Sequence, residues 1–216
     1  MKSFLEENKH IILFAAILTL CIYGVRIFSY NISVDTDLYI SKPFWFNQYW
    51  HLAEGKYAFS LLELIFQGFE LKLNIFFANV LSVIFLVASN VVWLYSLYTF
   101  AELKSKLLMS VFSLFYLSSS IWVEIIYFTM MAAEVTFGIL LCAVSCYFTF
   151  KGIFNNDLKM LLASTLLLTF TVSIWLPLIT LYVAGVLIVY IMRAEKLEMS
   201  SDIGGGVRSE NSLLYL

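Results

Sequence analysis

The chain alternates between long apolar runs and short charged segments. About six runs carry few charged residues, and they cover residues 11–29, 74–100, 107–123, 130–150, 160–175 and 177–192. A transmembrane helix needs about 20 mostly apolar residues to cross about 30 Å of hydrocarbon. The pattern therefore predicts an all-α fold, a polytopic bundle of about six transmembrane helices.

The last two runs meet at Trp175-Leu176-Pro177. Proline restricts the residue before it and cannot continue the helical hydrogen-bond ladder. We expect a tight turn at the membrane surface here, rather than one long kinked helix.

The segment from 30 to 73 is the longest connection between apolar runs, and function is most often found in such segments. It contains an aromatic stretch, Pro43–Trp50, typical of the membrane headgroup layer. From Tyr57 to Phe69, apolar residues recur at near-helical spacing with Ser60 and Glu63 among them. This pattern predicts an interfacial amphipathic helix parallel to the bilayer.

Composition supports the membrane assignment and excludes two other classes. Of the 216 residues, 62% are hydrophobic and 13% are charged, against about a quarter charged in an ordinary soluble domain. The net charge is −2 and the basic residues are scattered between the runs, which argues against nucleic acid as a partner. We therefore expect one transmembrane domain over 1–199, and a disordered tail over 200–216, where serine and glycine replace the apolar pattern.

Basic residues predict the orientation, because cytoplasmic loops carry the excess of Lys and Arg. One set of connections and termini holds more of them than the other. The richer set is Lys2, Lys9, Lys104, Lys106, Lys151, Lys159, Arg193 and Lys196; the poorer set is Arg26, Lys42, Lys56 and Lys72. We expect a multi-pass protein of the plasma or inner membrane with both termini cytoplasmic and the 30–73 loop external.

Two carboxylates, Asp35 and Asp37, follow the external end of the first run with one residue between them. Such a pair can share a site in which one carboxylate accepts a proton and the other binds a cation or changes its neighbour's pKa. The alternative is a solvated loop turn, where aspartate is common.

Other ionisable residues lie near this pair. Arg26 ends the first run and either reaches the interface or holds a phosphate. Lys56, next to Glu54 before the amphipathic helix, is a second candidate for substrate binding. Glu134 enters the fourth run, where an acid either serves function or hydrogen-bonds a neighbouring helix.

The three cysteines, Cys21, Cys142 and Cys146, lie in apolar runs. Free thiols there usually act as small buried hydrophobic groups. We expect packing rather than a disulfide or a metal site.

Three stretches carry a resemblance to a known family: Ser33–Asp37, Gly55–Phe59 and Phe128–Glu134. In these stretches the chain resembles the bacterial glucosyltransferase GtrII-like family of membrane glycosyltransferases with the GT-C type of fold. The likeness runs through most of the chain. It departs from the family at Gly55-Lys56-Tyr57-Ala58, where the family has an arginine after the first glycine, and a lysine offers a phosphate only a point charge.

The resemblance implies an inverting hexosyltransferase. Such an enzyme moves a sugar, glucose in the first instance, from a polyprenyl-phosphate carrier to a cell-surface glycan at the external face. Asp35 or Asp37 would be the base. The residues that would contact substrate are Arg26, Glu54, Lys56 and Glu134. The one cofactor that this chemistry suggests is a divalent cation at the two aspartates.

The family's proteins are longer, so we expect an N-terminal portion or a shortened member, with other membrane proteins among its partners. The alternative function is a non-catalytic partner subunit or a small transporter. A transporter would usually show spans broken by glycine or proline at corresponding positions of two halves, and no such repeat is evident.

The predicted orientation can be tested with single cysteines in a cysteine-free variant. Lys42→Cys should react with an impermeant external thiol reagent in intact cells, and Ser105→Cys should react only after the membrane is opened. Labelling of Ser105→Cys alone in intact cells would contradict the orientation.

Overall fold

Helices form every regular element in the part of the chain that the structure describes. The structure is a computed structural model that describes residues 1–28, 43–68, 75–127 and 131–203. Within those ranges the helices are α1 (Lys2–Glu7), α2 (Lys9–Phe28), α3 (Phe44–Ala53), α4 (Tyr57–Gly68), α5 (Ile75–Phe100), α6 (Lys106–Leu117), α7 (Ser120–Tyr127), α8 (Ala132–Asn155), α9 (Leu158–Ile174) and α10 (Leu178–Ile203). The predicted all-α class is confirmed.

Three of the described helices, α2, α5 and α8, are long and apolar enough to cross a membrane. Helices α6 and α7 together give a fourth span if the bent pair is one crossing. Helix α9 and the apolar part of α10, Leu178–Ala194, are shorter apolar helices. Membrane association follows from these helices, whereas a count of six crossings stays a prediction.

The run predicted as one helix over 107–123 is broken, and that prediction is wrong in detail. Helix α6 ends at Leu117, and α7 begins at Ser120 with its axis turned by 46°. The hydroxyl of Ser118 donates to the carbonyl of Leu114 at 2.6 Å, and the indole N–H of Trp122 donates to the carbonyl of Tyr116. Serine hydroxyls and an indole thus satisfy backbone carbonyls where the regular ladder stops.

The turn predicted at Trp175-Leu176-Pro177 is confirmed. Helix α9 ends at Ile174 and α10 begins at Leu178. The amide of Leu178 donates to the carbonyl of Trp175 at 3.1 Å, and the amide of Thr180 to that of Pro177 at 3.1 Å. The turn reverses the chain, because proline supplies no N–H for a continuous helix.

Helix α8 lies at the centre of the bundle and packs against α5, α9 and α10. Small residues on its surface let the neighbouring helices approach closely. At Gly138, an added Cβ would lie 2.8 Å from Leu178 Cδ1 and 3.4 Å from Ile174 Cγ2. The thiols of Cys142 and Cys146 are free and buried within this packing.

A hydroxyl seam, formed by Ser145, Thr149, Ser164 and Tyr182, joins α8 to α9 and α10. The Oγ atoms of Ser145 and Ser164 are 3.0 Å apart. Thr149 Oγ1 lies 2.6 Å from Ser164 Oγ and 2.6 Å from the Tyr182 hydroxyl. The seam fixes how far the α9–α10 pair sits along α8, since a shift of either helix would separate these atoms.

Two apolar clusters mark the two ends of the bundle. One contains Tyr23, Phe59, Ile126, Val135 and Ile174, from the end of α2, the start of α4 and α8, and the ends of α7 and α9. We call this the hairpin end, because α3 and α4, which form a helical hairpin, lie there. The other cluster contains side chains from the start of α2, the end of α5 and the end of α8, namely Ile11, Leu97, Phe100, Cys146 and Phe150.

Helix α10 continues to Ile203. The first residues of the tail predicted over 200–216 are therefore helical, and its remainder lies outside the described residues.

The contact between α5 and α10 gives a stability test. A Cβ added at Gly185 would overlap the buried indole of Trp93, whereas a Cβ at Gly24 would meet nothing within 4 Å. Gly185→Ala should destabilise the protein by about 1–3 kcal/mol, the usual effect of overpacking. Gly24→Ala should cost nothing, since alanine is the better helix former. Melting temperatures in detergent measure both, and equal values would contradict the packing described.

Candidate functional site

Helices α3 and α4 form a hairpin at the hairpin end of the bundle. The turn between them uses Gly55 at φ +78°, a conformation that side chains other than glycine rarely adopt. The amide of Lys56 donates to the carbonyl of His51 at 2.8 Å, which closes the turn. The helix predicted from Tyr57 to Phe69 is confirmed as α4, while its place in the headgroup layer stays a prediction.

Polar side chains of the hairpin point into the protein. Asn47 and His51 of α3 and Ser60 and Glu63 of α4 are all buried, with the side chain of Glu63 fully enclosed. Phe59 and Leu62 pack into the protein, but eight other large apolar side chains point outward. These exposed residues are Trp45, Tyr49, Trp50, Leu52, Tyr57, Leu61, Leu64 and Ile65. A hairpin that faced water would show the opposite arrangement, so this one suits a lipid surface.

Polar side chains on the inner side of the hairpin form a connected cluster, which we call the inner cluster. Its members are the buried His51, Ser60 and Glu63 and the half-buried Gln48. The Ser60 hydroxyl donates to Gln48 Oε1, and Gln48 Nε2 donates to Glu63 Oε2. His51 Nε2 lies 3.9 Å from the same Glu63 oxygen. The amide of Gln48 thus bridges a hydroxyl and a carboxylate, with an imidazole beside them.

The hairpin docks on the last turn of α9. The amide of Ala58 donates to Ser173 Oγ at 3.0 Å, and Ser173 Oγ donates to the carbonyl of Gly55 at 3.5 Å. Beside these bonds, Phe59 and Leu62 enter the apolar cluster of the hairpin end. The contact holds the turn of the hairpin over the end of α9.

Two of the predicted substrate-binding residues, Glu54 and Lys56, face each other in the hairpin turn. Lys56 Nζ lies 2.5 Å from Glu54 Oε2. The hydrogen bond from Lys56, and then its charge, hold the pKa of Glu54 below its usual range. The lysine charge is therefore partly neutralised, and a phosphate at Lys56 would compete with this carboxylate.

Arg26 and Glu134 are both buried at the hairpin end, with 5% and 2% of their surface exposed. Arg26 Nε donates to the carbonyl of Ile126 in α7 at 3.2 Å, and its own carbonyl accepts from Asn79 Nδ2 at 3.0 Å. The guanidinium is thus enclosed by the protein, and the two alternatives for Arg26, a reach to the membrane interface or a contact with phosphate, stay predictions. Glu134 belongs to the first turn of α8, beside the apolar cluster.

Asp35 and Asp37 lie outside the described residues, as do Lys42 and Lys72. The predicted base and the predicted cation at the two aspartates therefore stay predictions. Among the side chains that the structure does describe, no group of three His, Cys, Asp or Glu is arranged to hold a metal.

Sequence reasoning missed the inner cluster. His51 lies within the aromatic stretch and Glu63 within the predicted amphipathic helix, and neither was named as a candidate site residue. A usable signal was present, since Asn47 and His51 stand four residues apart and Ser60 and Glu63 three apart. Each pair shares one face of its helix, opposite the large apolar residues.

Comparison with protein-family models, with curated proteins and with solved structures finds no match for this chain.

The inner cluster predicts a difference between two glutamates at the hairpin end. Glu63→Ala removes a fully enclosed side chain and leaves the half-buried amide of Gln48 without its acceptor, so it should destabilise the protein by about 1–3 kcal/mol. Glu124→Ala is the matched control, because Glu124 is exposed on α7 and should change stability by less than about 0.5 kcal/mol. Thermal unfolding in detergent compares the two, and equal losses would contradict the burial of Glu63.

Proposed function

We propose that this chain is a membrane glycosyltransferase, or the part of one that handles its lipid-linked donor. It would transfer a sugar, glucose in the first instance, from a polyprenyl-phosphate carrier to a glycan acceptor at the external face. The proposal joins the resemblance of three sequence stretches to the GtrII-like family with the distribution of charge in the bundle.

One observation carries the proposal: the ionisable side chains of Arg26, His51, Glu63 and Glu134 are all buried at the hairpin end of the bundle. Ionisable side chains are costly at membrane depth and commonly mark functional sites. The same end of the bundle is where α2 stops, and the two aspartates follow α2 within ten residues of Phe28. A polar active site between lipid and external water needs this combination of acids and cations.

The reaction assigns a role to each residue type. The acceptor hydroxyl attacks the anomeric carbon as the bond from that carbon to the phosphate oxygen breaks, so configuration inverts. Asp35 or Asp37 takes the proton of the hydroxyl, and polyprenyl phosphate leaves with the electron pair. Arg26 or Lys56 stabilises the charge that develops on the phosphate. Lys56 would do so after its ion pair with Glu54 breaks and the phosphate takes the place of that carboxylate.

Arg26 is buried and Lys56 is partly exposed, so we assign the two residues different roles. Arg26 sits in a protein-enclosed place where a cation interacts strongly with a nearby anion, because the surroundings are less polarisable than water. Lys56 lies at the surface of the hairpin turn, where its charge is screened. We therefore assign the leaving phosphate to Arg26 and the first contact with the lipid head group to Lys56.

Separate Asp35→Asn and Asp37→Asn variants test the base. Loss of a general base lowers the rate by about 10²- to 10⁴-fold, and asparagine keeps the shape of aspartate without accepting the proton. One of the two variants should therefore lose transfer from polyprenyl-phosphate glucose, measured at matched membrane levels and with any partner subunit supplied. Glu124→Gln serves as control. If both aspartate variants keep more than about a tenth of the activity, neither is the base, and Glu134 is the next candidate.

A further inference from the structure

The α3–α4 hairpin separates two unlike surroundings. Its outer face carries Trp45, Tyr49, Leu61 and Leu64, all exposed. Its inner face carries the inner cluster, in which His51, Ser60 and Glu63 are buried and Gln48 is half-buried. The hairpin is therefore a wall between an apolar outside and a polar inside. A lipid with a polar head group can use both surroundings, because its hydrocarbon tail fits the apolar outer face and its head group fits the polar inner face.

The outer face continues the surface that the spans present to lipid. At the hairpin end, α2 exposes Val25 and Phe28, and the hairpin adds a row of aromatic side chains. Trp and Tyr concentrate in the headgroup layer of membranes. The bilayer is thus the occupant that this outer face fits.

We propose that the inner cluster binds the hydroxyl-rich head group of a lipid that enters from the bilayer, a role that rests on the proposed function. In the described structure the cluster is closed, with its groups bonded to one another. A sugar hydroxyl inserts between Gln48 and Glu63, accepting a hydrogen bond from the Gln48 amide and donating one to the Glu63 carboxylate. The direct hydrogen bond between Gln48 and Glu63 is replaced by one hydrogen bond from each group to the sugar. Both groups therefore keep a partner when the sugar is bound.

The chemistry of the cluster selects the sugar rather than the phosphate. A carboxylate repels a phosphate and accepts strong hydrogen bonds from hydroxyl groups. The amide of Gln48 and the hydroxyl of Ser60 add a donor and an acceptor of the kind that sugars use. The phosphate belongs at Lys56 and Arg26, the lysine and the arginine within the described residues at this end of the bundle.

The hairpin turn is the place where the wall opens. Its bonds to the rest of the protein include the pair that Ser173 makes with Ala58 and Gly55. These are bonds to a serine hydroxyl on the surface of α9, and they can break without unfolding either helix. Movement of the turn away from Ser173 exposes the inner cluster from the side of the bilayer.

The first experiment measures binding of two probe lipids to the purified full chain. The probes are polyprenyl-phosphate glucose and polyprenyl phosphate, which differ in the sugar and in the additional ionisable oxygen of the free phosphate. Glu63→Gln keeps the shape of the side chain and removes its charge. It should weaken binding of the glucose-bearing lipid about ten- to a hundredfold, the effect of losing a hydrogen bond to a charged group, and leave binding of polyprenyl phosphate unchanged. Glu124→Gln, the same substitution at an exposed position, should change neither.

Several outcomes overturn the inference. Equal weakening for both lipids would show that Glu63 only supports the fold. Unchanged affinity for both lipids in Glu63→Gln, or no binding of the glucose-bearing lipid by the unmodified chain, would remove the sugar site. If the difference between the lipids is seen and no sugar is transferred, the site stands and the proposed function fails.

A disulfide lock tests the opening independently of Glu63. In a chain without native cysteines, Ala58→Cys with Ser173→Cys would fasten the hairpin turn to α9. Oxidation should slow association of polyprenyl-phosphate glucose at least tenfold, and a reductant should restore it. Ser145→Cys with Ser164→Cys is the matched control, since it ties α8 to α9 across atoms 3.0 Å apart without touching the hairpin. Equal association rates in the locked and reduced hairpin variant would show that the wall does not open there.

Discussion

The interior of a bilayer offers no water, so the polar groups of a chain that crosses it must find their partners within the protein. The described helices meet this constraint in two ways. Isolated hydroxyls turn back on their own helix, as Thr19 does to the carbonyl of Ala15 at 2.7 Å and Ser96 to that of Val92 at 2.9 Å. Other polar side chains join neighbouring helices, as Asn90 does with Ser113 at 3.1 Å. The bundle is held in register by these bonds, because apolar contacts between helices differ little from contacts with lipid.

The same constraint organises the candidate site. Ionisable groups gather at the hairpin end, where Arg26, Glu63 and Glu134 are enclosed by protein. The hairpin turns Glu63 and its other buried polar residues toward the bundle, and Trp45, Tyr49, Trp50 and Tyr57 away from it. A polar compartment beside lipid is thus built without opening the bundle itself, and the hairpin supplies its outer side.

Much of the fold could be predicted from the sequence, because an apolar run of sufficient length has few stable structures other than a helix. The helices α2, α5 and α8 follow from their runs, and the turn at Pro177 follows from the missing N–H of proline. The break after Leu117 could not be predicted in this way, since Ser118 and Ser119 interrupt neither hydropathy nor helical propensity strongly. It depends on bonds to Leu114 and Tyr116 that exist only in the folded chain.

The site shows a different limit. Helical periodicity identified α4 as amphipathic, but it does not say which side of an amphipathic helix meets the protein. The structure places the polar side of α4, with Glu63, inside the protein. The resemblance directed attention to Asp35, Asp37, Arg26 and Glu134, and of these the structure describes Arg26 and Glu134, both buried. Gln48 and Ser60 carry no signal of their own, and they acquire a role only when α3 and α4 are brought together.

The short lengths of α9 and of the apolar part of α10 have a consequence for the membrane around the protein. Seventeen residues rise about 25 Å, less than the hydrocarbon thickness of about 30 Å in a typical bilayer, while α5 has 26 residues. In the predicted arrangement of six crossings, lipids beside the exposed Leu162 and Leu166 of α9 would meet a narrower apolar band than lipids beside α5. Such a mismatch has a modest free-energy cost per ångström, and that cost rises with the thickness of the bilayer.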